Sequence, residues 1–154
     1  MDDTPRGRYF DDFSVGEALL TSRRTITEAD VVNFAGLSGD FNPLHTDEIY
    51  GQSTPFGGRI AHGMLVVSVG TGLVNQAGWF AGTTLALLEI SRKFVGAVKP
   101  GDTVHVAMDV ASTRESSRGD RGIVTFNTRI ANQRDETVIE GTEVVLLRRR
   151  PSAD

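Results

Sequence analysis

The sequence predicts an α+β fold, a curved antiparallel sheet wrapped around one long central helix, and three observations carry that expectation. From Gly63 to Leu88 no residue is charged, and the first part of this stretch is apolar at nearly every helical position. After Thr83 the chain reads as alternating strands separated by short polar turns. Only one strand-like segment precedes the helices. A helix apolar on every side must be covered on every side, and a sheet curled around it is the packing that the available strands allow.

Each element has its local reason. Glu17 to Ile26 alternates loosely and reads as the first strand. Thr27 then opens a helix, because Thr-Glu-Ala-Asp places an N-cap three residues before Asp30 and puts acid in the first turn. Val31, Phe34, Ala35 and Leu37 give this helix one apolar side, and Gly39 ends it. Phe41 to Arg59 is a long connection carrying Pro43, Gly51, Pro55, Gly57 and Gly58. Connections of that length in a compact domain commonly serve as lids or binding segments.

The central helix is expected from about Ala61 to about Ala77. Its glycines cost about 1 kcal/mol each relative to alanine, so they mark places where a sheet or a ligand must approach the backbone. Strands follow at Thr83 to Val95, Thr103 to Thr113, Ile123 to Asn132 and Thr137 to Arg148. In the second of these, Val104, Val106, Met108 and Val110 share one face, with His105, Ala107, Asp109 and Ala111 on the other. The open edges of such a sheet predict a homodimer or higher homo-oligomer that covers them across a symmetry axis.

At 154 residues the chain is a single domain, 1–154. A net charge of -4 leaves no broad basic stripe, which argues against nucleic acid as a partner. Arg148, Arg149 and Arg150 read as a solvated tail. The absence of cysteine excludes disulfides, thiolate metal ligands and cysteine nucleophiles, and it agrees with a cytoplasmic location. The start, MDDTPRGRYFDDF, is acidic and polar and reads as no signal peptide. The uncharged stretch is long enough to raise a membrane span. Asn75, Gln76 and glycines 63, 70, 72, 78 and 82 favour a buried helix and a buried strand instead, with no membrane partner.

The segment Phe34 to His45, FAGLSGDFNPLH, is the most informative for function. Pro43 lacks an N–H and biases Asn42 away from the helical region, so the upstream helix cannot run through. Asp40 and His45 are therefore expected on an irregular turn, where a carboxylate and an imidazole can converge on one water and move its protons. Asn42 reads first as a turn-stabilising side chain, with a substrate contact as the alternative. Metal ligation is not expected, because no HExxH or comparable cluster is present and one Asp with one His leaves a ligand set incomplete. Phosphate-loop and dinucleotide patterns are missing as well.

With these residues in view, the chain resembles the MaoC-like, (R)-specific enoyl-CoA hydratases of the hot-dog fold. The string G-D-x-N-P-L-H stands at Gly39 to His45, a second block R-I-A-H-G-M-L at Arg59 to Leu65, and a PGD turn at Pro100 to Asp102. The resemblance spans roughly 10–147. It implies that Asp40 and His45 are the catalytic pair, and that the Gly63 backbone N–H serves the thioester oxygen. Thr71, where serine is more usual, would help orient the catalytic groups. His62 would be a structural helix-start residue or a substrate contact.

The implied reaction is hydration of a trans-2-enoyl thioester of coenzyme A or acyl carrier protein to the (R)-3-hydroxyacyl product, with no cofactor. It needs a water activated at the β-carbon, a proton for the α-carbon and a donor for the enolate charge. Gly63, near the start of the central helix, suits the last task because N–H groups there lack partners and the dipole favours an oxyanion. Glycine also leaves room for the acyl carbonyl. The alternatives are a hot-dog thioesterase and a noncatalytic acyl-thioester-binding subunit of a heteromeric dehydratase. Arg92, Lys93 and the C-terminal arginines either meet carrier phosphates or face water.

Overall fold

The helix that Thr27 opens, α1 (Glu28–Ser38), carries a reciprocal cap in the computed structural model, which describes residues 5–151. Met1 to Thr4 of the acidic start and Ser152 to Asp154 lie outside that range. The Asp30 N–H donates to the Thr27 hydroxyl at 3.2 Å, and the Thr27 N–H donates to the Asp30 carboxylate at 2.8 Å. Gly39 ends the helix with φ at 76°, a left-handed conformation that glycine adopts without a Cβ penalty. Val31 and Ala35 are buried, but Leu37 is 84% exposed. Two residues beyond Ala35 is a rotation of about 200°, so Leu37 leaves the buried stripe it was expected to join.

The expected first strand is divided into β1 (Ala18–Leu20) and β2 (Arg24–Thr25), both antiparallel to β4 (Thr103–Glu115). Thr21 interrupts them. Its hydroxyl accepts the Val106 N–H at 2.9 Å, so a side chain replaces a ladder carbonyl at that step. The remaining strands are β3 (Thr84–Phe94), β5 (Arg121–Ala131) and β6 (Thr137–Arg148). Every pairing is antiparallel, in the order β1-β4-β5-β6-β3.

The helix of the second block completes the core. Between α1 and this helix lie two short helices, α2 (Pro43–Thr46) and α3 (Glu48–Ser53), and the long central one is α4 (Gly63–Gln76). Leu65, Val66, Val69 and Leu73 of α4 are buried with Val104, Val106, Phe126 and Ile130 of the sheet in one cluster. Each such aliphatic side chain contributes roughly 1.5–3 kcal/mol on burial. A Cβ at Gly70 would lie 2.8 Å from Ile130 Cδ1, so this glycine is one of the close approaches its helix cost implies. A curled antiparallel sheet around one helix is the hot-dog arrangement.

Two expectations need correction. The central helix is not covered all round: Met64, Ser68, Thr71 and Asn75 form an exposed stripe, because a single curled sheet leaves one side of the helix open. The C-terminal arginines are not a free tail either. Arg149 pairs with Asp11 at 2.7 Å and Arg150 with Asp12 at 2.9 Å, tying the chain after β6 to the 3₁₀ turn Phe10–Asp12. Among the described residues, no helix is long and apolar enough to cross a membrane.

Candidate active site

The segment after Gly39 is held by a succession of short side-chain caps. The Asp40 N–H donates to Ser38 Oγ, and the Asn42 N–H donates to Asp40 Oδ1, each at 3.2 Å. Asn42 caps α2 by accepting the Leu44 N–H at 3.0 Å, with Pro43 in the first helical position, where its missing N–H costs nothing. Asp47 caps α3 in the same way through the Tyr50 N–H. His45 therefore sits in a single helical turn rather than on the irregular turn expected. Gly39 ends one helix and Pro43 starts the next.

This geometry brings Asp40 and His45 together. His45 Nδ1 lies 2.8 Å from the Ile60 carbonyl oxygen, which can only accept, so Nδ1 carries the proton and Nε2 presents its lone pair. Asp40 Oδ2 stands 3.9 Å from that Nε2. Two acceptors cannot bond to each other, but a water can donate to both. With two hydrogen bonds of about 2.8 Å, such a water spans acceptors about 4.4 Å apart, close to the observed spacing. The His45 side chain is 11% exposed and the Asp40 side chain 51%, so the carboxylate faces the solvent side of the pair.

His45 also lines a cavity of about 460 Å³ together with Phe56, Ile60, Gly63, Met64, Phe94 and Val98. That volume suits a small-molecule site, and its walls are apolar. Asp40 is outside the lining and reaches the cavity through His45. Gly63 is the first residue of α4, whose N-terminus receives no side-chain cap among the described residues, so its N–H is one of the donors without an intrahelical partner. The close neighbour of Gly63 was not legible in the sequence: a Cβ there would fall 2.5 Å from Phe94 Cε1. The notch left by glycine is thus filled by a ring, a different occupant from the acyl carbonyl expected there.

Of the three residues expected to bind substrate, none lines this cavity. Asn42 spends its side-chain oxygen on the α2 cap. Thr71 is exposed and donates its hydroxyl to the Val67 carbonyl at 3.1 Å. It lies eight residues past Gly63, about 12 Å along the helix. His62 is 2% exposed, with Nε2 2.9 Å from the Asp40 carbonyl oxygen and its ring stacked on His45 at 3.9 Å between centroids. Arg92 is turned to Glu143 and to the Thr142 carbonyl, and so is not free for a phosphate.

Asp40, His45 and His62 each offer a ligand atom within 4.8 Å of the others, a clustering that raises the question of a metal. The ring geometry opposes one. A metal lies in the plane of each imidazole that binds it, about 2.1 Å from the nitrogen. Planes stacked 3.9 Å apart and inclined by 31° meet well beyond that reach.

Comparison with known proteins gives the chain its relatives. Residues 12–131 match the MaoC like domain family. The (R)-specific enoyl-CoA hydratase of Aeromonas caviae is 38% identical over 133 residues, which cover 86% of this chain and 94% of that one. Protein MaoC of Klebsiella aerogenes is 42% identical over 104 residues, 68% of this chain but 31% of its own length. Among solved structures, a MaoC-like dehydratase from Rhodospirillum rubrum superposes with a TM-score of 0.83 at 30% identity, covering 95% of this chain and all (100%) of that one.

Proposed function

Because the chain belongs to the MaoC-like domain family and has the hot-dog fold, we propose that it is a lyase that reversibly hydrates a trans-2-enoyl thioester to the (R)-3-hydroxyacyl thioester. The observation that carries this reading is the pair of lone-pair acceptors, Asp40 Oδ2 and His45 Nε2, set 3.9 Å apart beside an apolar cavity. A water bridging them gives up one proton to the pair as its oxygen bonds to the β-carbon. The alkene electrons move onto the thioester oxygen, where the Gly63 N–H stabilises the charge. The enolate then collapses as the proton the pair took from the water is delivered to the α-carbon. Atoms and charge balance without a cofactor.

The carrier is coenzyme A or an acyl carrier protein, and the acyl chain occupies the cavity. A homodimer belongs to the same proposal. Register sets Leu87, Ile90 and Phe94 of β3 on the same face as Val145, Glu143 and Ile139 of β6. Val145 and Ile139 are core, yet the three β3 side chains are about half exposed, and β3 is a sheet edge whose Phe94 lines one cavity with Met64 of the open α4 stripe. A second copy pairing along β3 covers both.

The test is to offer the purified protein crotonyl-, hexenoyl- and dodecenoyl-CoA. Loss of conjugated enoyl absorbance is followed in parallel with release of free thiol. The product's configuration is read with a 3-hydroxyacyl-CoA dehydrogenase of known stereospecificity. Hydration to the R product without thiol release is expected. Thiol release alone would make the protein a thioesterase and overturn the proposal.

A further inference from the structure

We infer that His62 is a positioning residue for the Asp40–His45 pair, holding one member with its edge and the other with its face. The inference rests on the hydration reading above. The edge contact is to the peptide group that carries Asp40: His62 Nε2–H donates to the Asp40 carbonyl at 2.9 Å. Among the described residues the Asp40 carboxylate is hydrogen-bonded only within its own turn, by the Asn42 N–H. The face contact is the stack on His45, 3.9 Å between centroids at 31°. The ring also meets Phe34 at 5.0 Å between centroids. Asp40 and His45 come from different elements, and His62 ties both to the start of α4, where Gly63 lies.

A second observation separates this role from plain core packing. Donation by Nε2 makes Nδ1 of the neutral ring an acceptor, and that atom is buried without a partner among the described residues. A buried unpaired acceptor destabilises a fold. An apolar side chain of similar length would pack at this 2% exposed position without that penalty. Packing alone gives histidine no advantage here, while alignment of the pair uses a donor at the Nε2 position.

The experiment compares His62→Met with His62→Gln, which have similar length and differ in the donor. Both are measured for hydration of crotonyl-CoA and for Tm beside the wild type. His62→Met removes the donor and the unpaired Nδ1 together, so Tm should equal or exceed that of the wild type. Its kcat should fall about ten- to a hundredfold, the scale of a small misalignment of reacting groups, with KM within about threefold. His62→Gln, whose amide nitrogen reaches the same carbonyl, should recover kcat to within about fivefold. Normal kcat in folded His62→Met would overturn the inference. So would a Tm that falls together with kcat, or a variant that does not fold, since either makes His62 a core residue. So would a stable His62→Gln as slow as His62→Met. If the wild type itself does not hydrate enoyl-CoA, the hydration reading fails instead, and the two failures are told apart.

Discussion

Replacing Asp40 by asparagine is the sharpest perturbation of the proposed chemistry, because it alters one atom and leaves the turn intact. The asparagine carbonyl can still accept the Asn42 N–H as Asp40 Oδ1 does, at 3.2 Å. The Oδ2 position, 3.9 Å from His45 Nε2, becomes an amide N–H₂. An acceptor pair that holds a water then becomes a donor facing an acceptor, and the amide closes directly on His45. Both the bridging water and the basic oxygen are lost. Turnover should fall at least about a hundredfold, the lower range for removing a positioned acid or base, which is about 2.7 kcal/mol in the barrier. Stability should change by less than about 0.5 kcal/mol, since the side chain is half exposed. His45→Ala should cost a similar factor, and the double variant little more, because the two groups act on one water. The assay is enoyl-CoA absorbance with a denaturant melt on the same samples. Near-wild-type hydration by a folded Asp40→Asn protein would refute the reasoning.

The other expectations come from packing and charge. Gly63→Ala places a methyl group where Phe94 Cε1 would be 2.5 Å away, so the ring must swing, and KM for enoyl-CoA should rise about fivefold or more. Adding Phe94→Ala should restore KM, and steady-state kinetics showing no recovery would separate the glycine from the ring. Light scattering should give about twice the 16.6 kDa of the chain, and Ile90→Glu should shift the mass toward one chain. A monodisperse active wild-type monomer would remove the edge-strand argument. The Arg8 guanidinium, hydrogen-bonded to Glu17, holds that carboxyl below the usual glutamate range against the opposing effect of burial. Its stabilisation is therefore present above the ordinary value of about 4.3 and lost as pH falls through the lower folded value. Tm should drop less steeply below about pH 4.5 in Glu17→Gln, by a modest amount because both side chains are 30% exposed. Identical slopes would show that other carboxylates carry the acid sensitivity.

The sequence by itself determined what depends on neighbouring residues. Thr27, Asp30 and Gly39 mark the ends of α1 because caps are satisfied within a few positions. Pro43 divides the chain and Asn42 caps the next turn for the same reason, so the convergence of Asp40 and His45 was legible from their own string. Alternation in Thr103 to Thr113 likewise identified a strand, although His105 on its expected polar face is buried. Tertiary structure decided the rest. That the Ile60 carbonyl sets the His45 tautomer, that Phe94 fills the notch at Gly63, and that His62 touches both members of the pair depend on segments brought together by the sheet and α4. Thr71 shows the limit from the other side: its hydroxyl suited an orienting role, and the fold turns that hydroxyl to the Val67 carbonyl of its own helix. Leu37 and the α4 stripe follow the same logic, since periodicity records which residues are apolar while burial depends on what the folded chain places against them. Local hydrogen-bonding rules act over a few residues and are written in order along the chain, whereas contact across a core depends on register and curvature, which emerge only when the whole sheet closes.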